Sequence, residues 1–168
     1  MTTAKTSLRE YQRNLSARLA NQKSSQTISK LGIRAGGACW LVDLADAGEV
    51  IPVPAMLPVP LMRTWFRGVA NVRGVLYCVV DFSAFIGREA APADQRSRLL
   101  LIGDRYRMNA GLLVEAVLGL YRDGDFVNGP GSTGKWCKAD YKDRQGAVWK
   151  QLDMSALTAH PEFLQVGI

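Results

Sequence analysis

The side chains of this 168-residue chain that could do chemistry are few or scattered. Its one histidine, His160, sits before Pro161, and its three cysteines, Cys39, Cys78 and Cys137, lie far apart. One imidazole and three separated thiols lack the ligand spacing of a zinc site, and a Cys–His nucleophile has no orienting partner here. The cysteines read as small apolar residues buried in a reducing compartment. Gly129 to Gly134 is glycine-rich, but it lacks the strand before and the helix after that a phosphate-cradling loop requires. Carboxylates are dispersed, and Asp81 and Asp153 recur in one local context, which suits helix caps better than a catalytic dyad. The expectation is therefore a chain with no catalytic residue, no metal and no cofactor.

What remains is recognition chemistry. Arg63-Thr64-Trp65-Phe66-Arg67 interleaves two rings with two guanidinium groups, a pattern that can stack bases and hold phosphates, so a small-barrel nucleic-acid binder is the alternative reading. The formal charge of +6 points the same way until it is located. Residues 1–30 carry Lys5, Arg9, Arg13, Arg18, Lys23 and Lys30 against Glu10, which leaves 15 of the 21 basic and 14 of the 15 acidic side chains for the rest. That body is close to neutral, which argues against an electrostatic footprint for nucleic acid. A second recognition candidate lies in Phe66 to Gly74. With period-2 alternation Gly68, Ala70 and Val72 share a face of small residues suited to close packing, and Val69, Asn71 and Arg73 share the opposite face, so Asn71 and Arg73 should point outward or into a groove. Gly74 then allows a sharp turn.

The elements that would position these groups are mostly strands. Hydrophobic residues make up 48% of the chain, enough for a sizeable core. No apolar run reaches the roughly 18 residues of a membrane span and no signal-peptide core opens the chain, so a cytoplasmic location is expected. Leu8, Tyr11, Leu15 and Leu19 fall at helical spacing on a basic N-terminal extension, and Lys23 to Lys30 reads as a polar linker. Leu31–Ala35 and Ala38–Val42 flank Gly36-Gly37 as a hairpin. Asp43 to Glu49 reads as a bend and Val50 to Val53 as extended chain, after which prolines 52, 54, 58 and 60 forbid a long helix. Val75 to Val80, continuous and β-branched, reads as a strand buried on both faces, ended by the cap Asp81, a helical turn and Gly87. Arg88 to Arg98 is a polar connector. Leu99 to Ile102 and Arg105 to Val114 follow as strands across a Gly103-Asp104 turn, then a loop from Asp123 to Gly134, a last hairpin across Lys142 to Gln145, and a helix after Asp153.

The two halves match when slid by 72 positions. Leu41-Val42-Asp43 falls on Leu113-Val114-Glu115, Gly74-Val75-Leu76-Tyr77 on Gly146-Ala147-Val148-Trp149, and the segment from Val80 to Phe85 on that from Leu152 to Leu157. Two similar small β units, arranged as two barrels side by side, are expected.

The phrase RGVANVRGVLYCVVDFSAFIG resembles the signature of CheW-type coupling proteins, in which a G-V-x-N-[LV]-R-G segment leads into an apolar strand, an Asp-apolar pair and a short helix closed by Gly. Gly48-Glu49-Val50 is similar to that family's V-x-E-V element, and Ala110 to Val117 to its G-L-x-V-D-x-V element. The resemblance spans about Ile33 to Leu157. TWFRGVANVRG, the basic extension and the ending HPEFLQV resemble the branch that serves type IV pili and twitching. Cys78 stands where the family has a proline, Phe82 where it has Leu, and Glu115 where it has Asp.

The resemblance implies an all-β fold of two small SH3-like five-stranded barrels with short capped helices. It implies residues 1–30 as a helical extension with linker, and residues 31–168 as one domain of two intertwined barrel subdomains with an approximate boundary at 88–98. It further implies a non-enzymatic scaffold with no small-molecule substrate and no nucleic acid. Its partners would be the regulatory domain of a CheA-type histidine kinase and the cytoplasmic tip of a chemoreceptor, through which it would associate with membrane receptor arrays. Asn71, Arg73 and Gly74, with Val69, Glu49 and Val50 nearby, are the partner-binding candidates.

Overall fold

The computed structural model describes residues 8–131 and 134–168. Helix α1 (Leu8–Gln26) leads into β1 (Ile28–Ala35), β2 (Ala38–Asp43), β3 (Ala47–Pro52), β4 (Phe66–Val72), β5 (Val75–Asp81) and α2 (Phe82–Phe85). The second half runs β6 (Arg98–Ile102), β7 (Ala110–Val114), β8 (Ala116–Arg122), β9 (Val127–Asn128), β10 (Cys137–Lys142), β11 (Val148–Leu152), α3 (Met154–Ala159) and α4 (Pro161–Leu164). The fold is mostly β, as expected, in two sheets: β8-β1-β2-β11-β10-β9 and β3-β6-β7-β5-β4. The first has six strands rather than five because the loop after Asp123 holds the two-residue β9, which pairs with β10.

The repeat explains the topology. Exchanging β1 with β6, β2 with β7, β3 with β8, β4 with β10 and β5 with β11 converts one strand order into the other, β9 aside. With β9 left aside, each half supplies two strands to one sheet and three to the other, so the connector before β6 lies between the repeats but not between the sheets. One antiparallel hairpin from each half is joined by a parallel pair, β5 on β7 and β11 on β2. The main core fills the space between the sheets with Ile33, Trp40, Val42, Val80, Phe82, Leu100, Leu112, Leu152 and Leu157. A second cluster, Ala70, Val79, Leu99, Leu101 and Leu113, lines the other face of the five-stranded sheet.

That sheet curls until its edges meet. Leu57, beyond the end of β3, exchanges backbone hydrogen bonds of 2.8 and 2.9 Å with Val69 on the β4 edge. Gly68 permits this approach, since a Cβ there would stand 2.2 Å from the Leu57 carbonyl oxygen. The small inward face is therefore real at Gly68 and Ala70, while Val72 is only half-buried.

Four sequence expectations need correction. The stretch 23–30 is not a linker: it is helix to Gln26 and strand from Ile28, with Ile28 opposite Arg122 and Lys30 opposite Asp43. The strand from Val75 is not buried throughout, since Val75 is 42% and Leu76 62% exposed. It pairs with β7 only from Cys78 onward, so residues 75–77 overhang. The segment after Gly103 is a 3-10 turn, Asp104–Tyr106, and the strand starts only at Ala110; Tyr106 donates from its hydroxyl to Asp46 Oδ1 at 2.6 Å. Finally, β3 begins at Ala47, which places Glu49 in a strand rather than a bend. In α1, Leu15 and Leu19 are exposed; residues 1–7 and the side chains of Leu8 and Tyr11 lie outside the described set.

Asp81 and Asp153 cap α2 and α3 as expected, accepting from Ala84 N–H at 3.1 Å and Ala156 N–H at 2.9 Å. They are not equal. Asp81 is fully buried and also accepts from the Ala91 N–H at 3.0 Å and Arg67 Nη1 at 3.2 Å. Asp153→Ala should cost about 1 kcal/mol. Asp81→Ala should cost about 3 kcal/mol, because it strands a buried N–H and a partly buried guanidinium as well. Denaturant titration of both variants measures the difference. Deleting residues 1–26 should move the melting temperature by less than about 2 °C, whereas deleting 1–30 removes three residues of β1 and should lower it by more than about 4 °C.

Candidate partner-binding surface

The β4–β5 turn is built from two residues with positive φ, Arg73 at 52° and Gly74 at 85°, between the paired Val72 and Val75. Such a two-residue hairpin matches the right-handed twist of its strands, but it puts a non-glycine side chain in the left-handed region, a strained conformation. Asn71 offsets part of that strain: its Oδ1 accepts from the Gly74 N–H at 2.8 Å. Asn71 is thus half turn-former, a role the alternation of faces did not reveal.

Arg73 reaches across the closed edge of the sheet to β3. Its Nη1 donates to Glu49 Oε2 at 2.7 Å and its Nη2 to Oε1, a two-pronged pair of the kind a planar guanidinium favours. The hydrogen bond from Arg73 holds the Glu49 carboxyl below the usual glutamate range, and the bond to Glu49 raises Arg73 in turn. Because the Glu49 value is depressed, the pair is fully charged above the ordinary value of 4.5 and opens only as pH falls through the lower folded value. Both side chains remain open to solvent, at 71% and 46% exposure.

Cross-strand register shows what surrounds the pair. Leu57 lies opposite Val69, Val69 opposite Cys78, and Asn71 opposite Leu76, so these side chains share one face. Leu57 is 73% exposed and Leu76 62%, an apolar surface beside a charged fork. Sequence reasoning missed both. Leu57 sits anonymously among prolines, and Leu76 belongs to a continuous apolar run whose overhang depends on register with β7. Of the six nominated residues, Glu49, Asn71, Arg73 and Gly74 come together, and Val69 flanks them. Val50 does not join the group: it packs against the core between the sheets.

The second half provides an internal control. The residues 72 positions on from Glu49 and Arg73 are Tyr121 and Gln145. There the turn is held by Asp143, which accepts from the Gln145 and Ala147 N–H groups at 2.9 Å each, while Tyr121 packs on Trp149 with ring centroids 5.0 Å apart. The same strand arrangement is therefore built without an ion pair.

Other candidates resolve into structure. Phe66 is buried, and Trp65 is half-buried and packs edge-on against Phe85 at 5.0 Å, so the two rings do not form the paired stacking platform the sequence suggested. His160 Nδ1 accepts from the Glu162 N–H at 3.1 Å, capping α4. The cysteines are free and half-buried, and burial pushes the Cys137 thiol up. Among the described residues no group of His, Cys, Asp or Glu is arranged to hold a metal, and no helix is long and apolar enough to cross a membrane.

Residues 30–162 match the family described as CheW-like domain. Protein PilI of Pseudomonas aeruginosa is 37% identical over 109 residues, covering 64% of this chain and 61% of that protein. Chemotaxis protein CheW of Rhizobium meliloti is 31% identical over 87 residues, covering 52% and 56%. The chain thus spans less than two thirds of the length of either relative. In three dimensions the scaffolding protein TtCheW from Thermoanaerobacter tengcongensis superposes with a TM-score of 0.62 at 18% identity, over 76% of this chain and 90% of that one. With a family match over most of its length and a fold shared with a solved member, the chain belongs to the CheW-like domain family.

Proposed function

We propose that this protein is a non-enzymatic scaffold that couples the cytoplasmic tip of a chemoreceptor to the regulatory domain of a CheA-type histidine kinase, in a chemosensory system serving type IV pili. The relatives named above, Protein PilI, a chemotaxis protein and a scaffolding protein, support this reading. So does the site itself. The observation that carries it is the Arg73–Glu49 fork, held on a strained turn beside the exposed Leu57 and Leu76, where the repeat-related half dispenses with the ion pair. A surface that combines an apolar patch with an oriented, permanently charged donor suits a protein helix tip.

Such a scaffold acts by raising the effective concentration of kinase at receptor tips and by passing on a shift in population. The reading places the chain in the cytoplasm, with the coupling domain starting at β1 and the helix before it as an extension.

Two substitutions separate recognition from folding. Arg73→Gly removes the side chain from a position where its φ is unfavourable, so the melting temperature should rise by about 1–3 °C while receptor binding falls. Arg73→Glu should abolish capture of a receptor cytoplasmic fragment at an unchanged melt and leave binding to the kinase regulatory domain intact. Adding Glu49→Arg to it restores the ion pair with reversed polarity. If Arg73 itself faces the receptor, this double variant recovers no receptor binding; full recovery would assign the pair to folding alone.

A further inference from the structure

A second recognition surface lies at the other end of β5. The chain runs from the Arg73 turn along seven residues of strand before reaching α2, a span of roughly 20 Å. There two clefts, of about 310 and 400 Å³, share Phe85 and Glu162 and form one continuous groove. Its floor is aromatic: Phe85 packs on Trp136 with centroids 5.2 Å apart, and Trp40 lies in the wall. Its rim is basic, carrying Arg63, Arg88, Lys135 and Lys150.

The charge around this groove is unbalanced. Glu162 is its one carboxylate, and Lys135 already engages it at 2.8 Å. Lys150 lies 5.7 Å from the Trp40 ring centre, and neither it nor the Arg88 side chain forms an ion pair among the described residues, while Arg63 acts on Glu162 only through its charge, without a salt bridge. Residues 1–7, 132 and 133 include no Asp or Glu, so no part of the chain outside the described set can supply one. Elsewhere the fold pairs cations where they meet the core, as at Lys30–Asp43 and Arg67–Asp81. Four cations facing one carboxylate on an aromatic groove, two of them unpaired, in an otherwise near-neutral body are not a general surplus.

We propose that this groove docks an acidic polypeptide segment of a partner protein, its carboxylates meeting Arg88, Lys150 and Arg63 and its apolar side chains lying against Phe85. Carboxylates match guanidinium and ammonium donors that have no internal partner, and the low-dielectric floor strengthens each contact. Single-stranded nucleic acid fits less well. It needs open ring faces to stack on, whereas Trp40 and Trp136 are 5% and 7% exposed and the rings here pack against one another. The proposal concerns a different surface from the Arg73 turn and stands whether or not that turn meets a receptor.

The test uses the full-length protein and a fluorescein-labelled, glutamate- and leucine-containing peptide, followed by anisotropy. A glutamine-for-glutamate peptide and a labelled oligothymidine serve as comparison probes. The acidic peptide should bind saturably to the wild type, about tenfold more weakly to Arg88→Glu/Lys150→Glu, and measurably more weakly to the single variant Arg88→Ala, whose side chain is exposed and whose melt serves as the folding control. Arg73→Glu should bind it like the wild type, and the glutamine peptide should not bind. No saturable binding, equal binding by the double variant, or equal loss in Arg73→Glu would overturn the proposal. So would oligothymidine binding more tightly than the peptide, which would make the groove a nucleic-acid site.

Discussion

The parallel pairing of β5 with β7 is the constraint on which the candidate site depends. The two strands come from different halves of the chain, and their register begins at Cys78 opposite Ala110. Everything beyond Cys78 toward Asp81 is covered on both sides by neighbouring strands and becomes core. Everything before it is left as a hairpin that only β4 supports, so Leu76 and the Arg73 turn project into solvent. The other sheet has the same arrangement, with β11 meeting β2 from Trp149 opposite Cys39, and Val148 is left 42% exposed. A strand buried at one end and bare at the other follows from exchanging strands between repeats, and each sheet gains one such projecting end.

The two ends have diverged chemically while keeping the frame. Glu49 and Arg73 form a solvent-facing fork on one; Tyr121, Phe126 and Trp149 form a packed ring cluster on the other, with Trp149 Nε1 donating to Asp143 at 3.0 Å. The helix caps behave differently. Asp81 and Asp153 persist in both halves because each helix start leaves N–H groups that need an acceptor. What the repeat retains answers a backbone need; what it varies is free to serve recognition.

The sequence made much of this legible, for identifiable reasons. Glycine pairs and caps are local: Gly36-Gly37, Gly74 and the two aspartates specify turns and helix starts without reference to anything distant, and they were placed correctly. The 72-residue offset locates equivalent elements, but which sheet each strand joins depends on nonlocal pairing, so the particular exchange of β1 and β2 with β6 and β7 is not readable from the repeat. The Arg73–Glu49 contact also escaped residue-level reading. It joins positions 24 apart on opposite edges of a sheet and exists only because that sheet closes. The run from Val75 looked uniformly buried because composition does not show where a neighbouring strand begins. Lys23 to Lys30 looked like a linker because polar side chains dominate it, although Lys30 is in β1 and paired with Asp43.

The central proposal is that the overhanging β4–β5 turn, with Glu49 and Leu57, is where this chain would meet a receptor. Amide chemical-shift mapping on isotope-labelled protein, titrated with a receptor cytoplasmic-tip fragment, tests it at residue level. The account predicts that the largest shifts fall on Asn71 to Leu76, Glu49 and Leu57, with the ring cluster around Tyr121 and Trp149 unmoved. Shifts concentrated on Tyr121, Phe126 and Trp149, with the Arg73 turn unchanged, would contradict it.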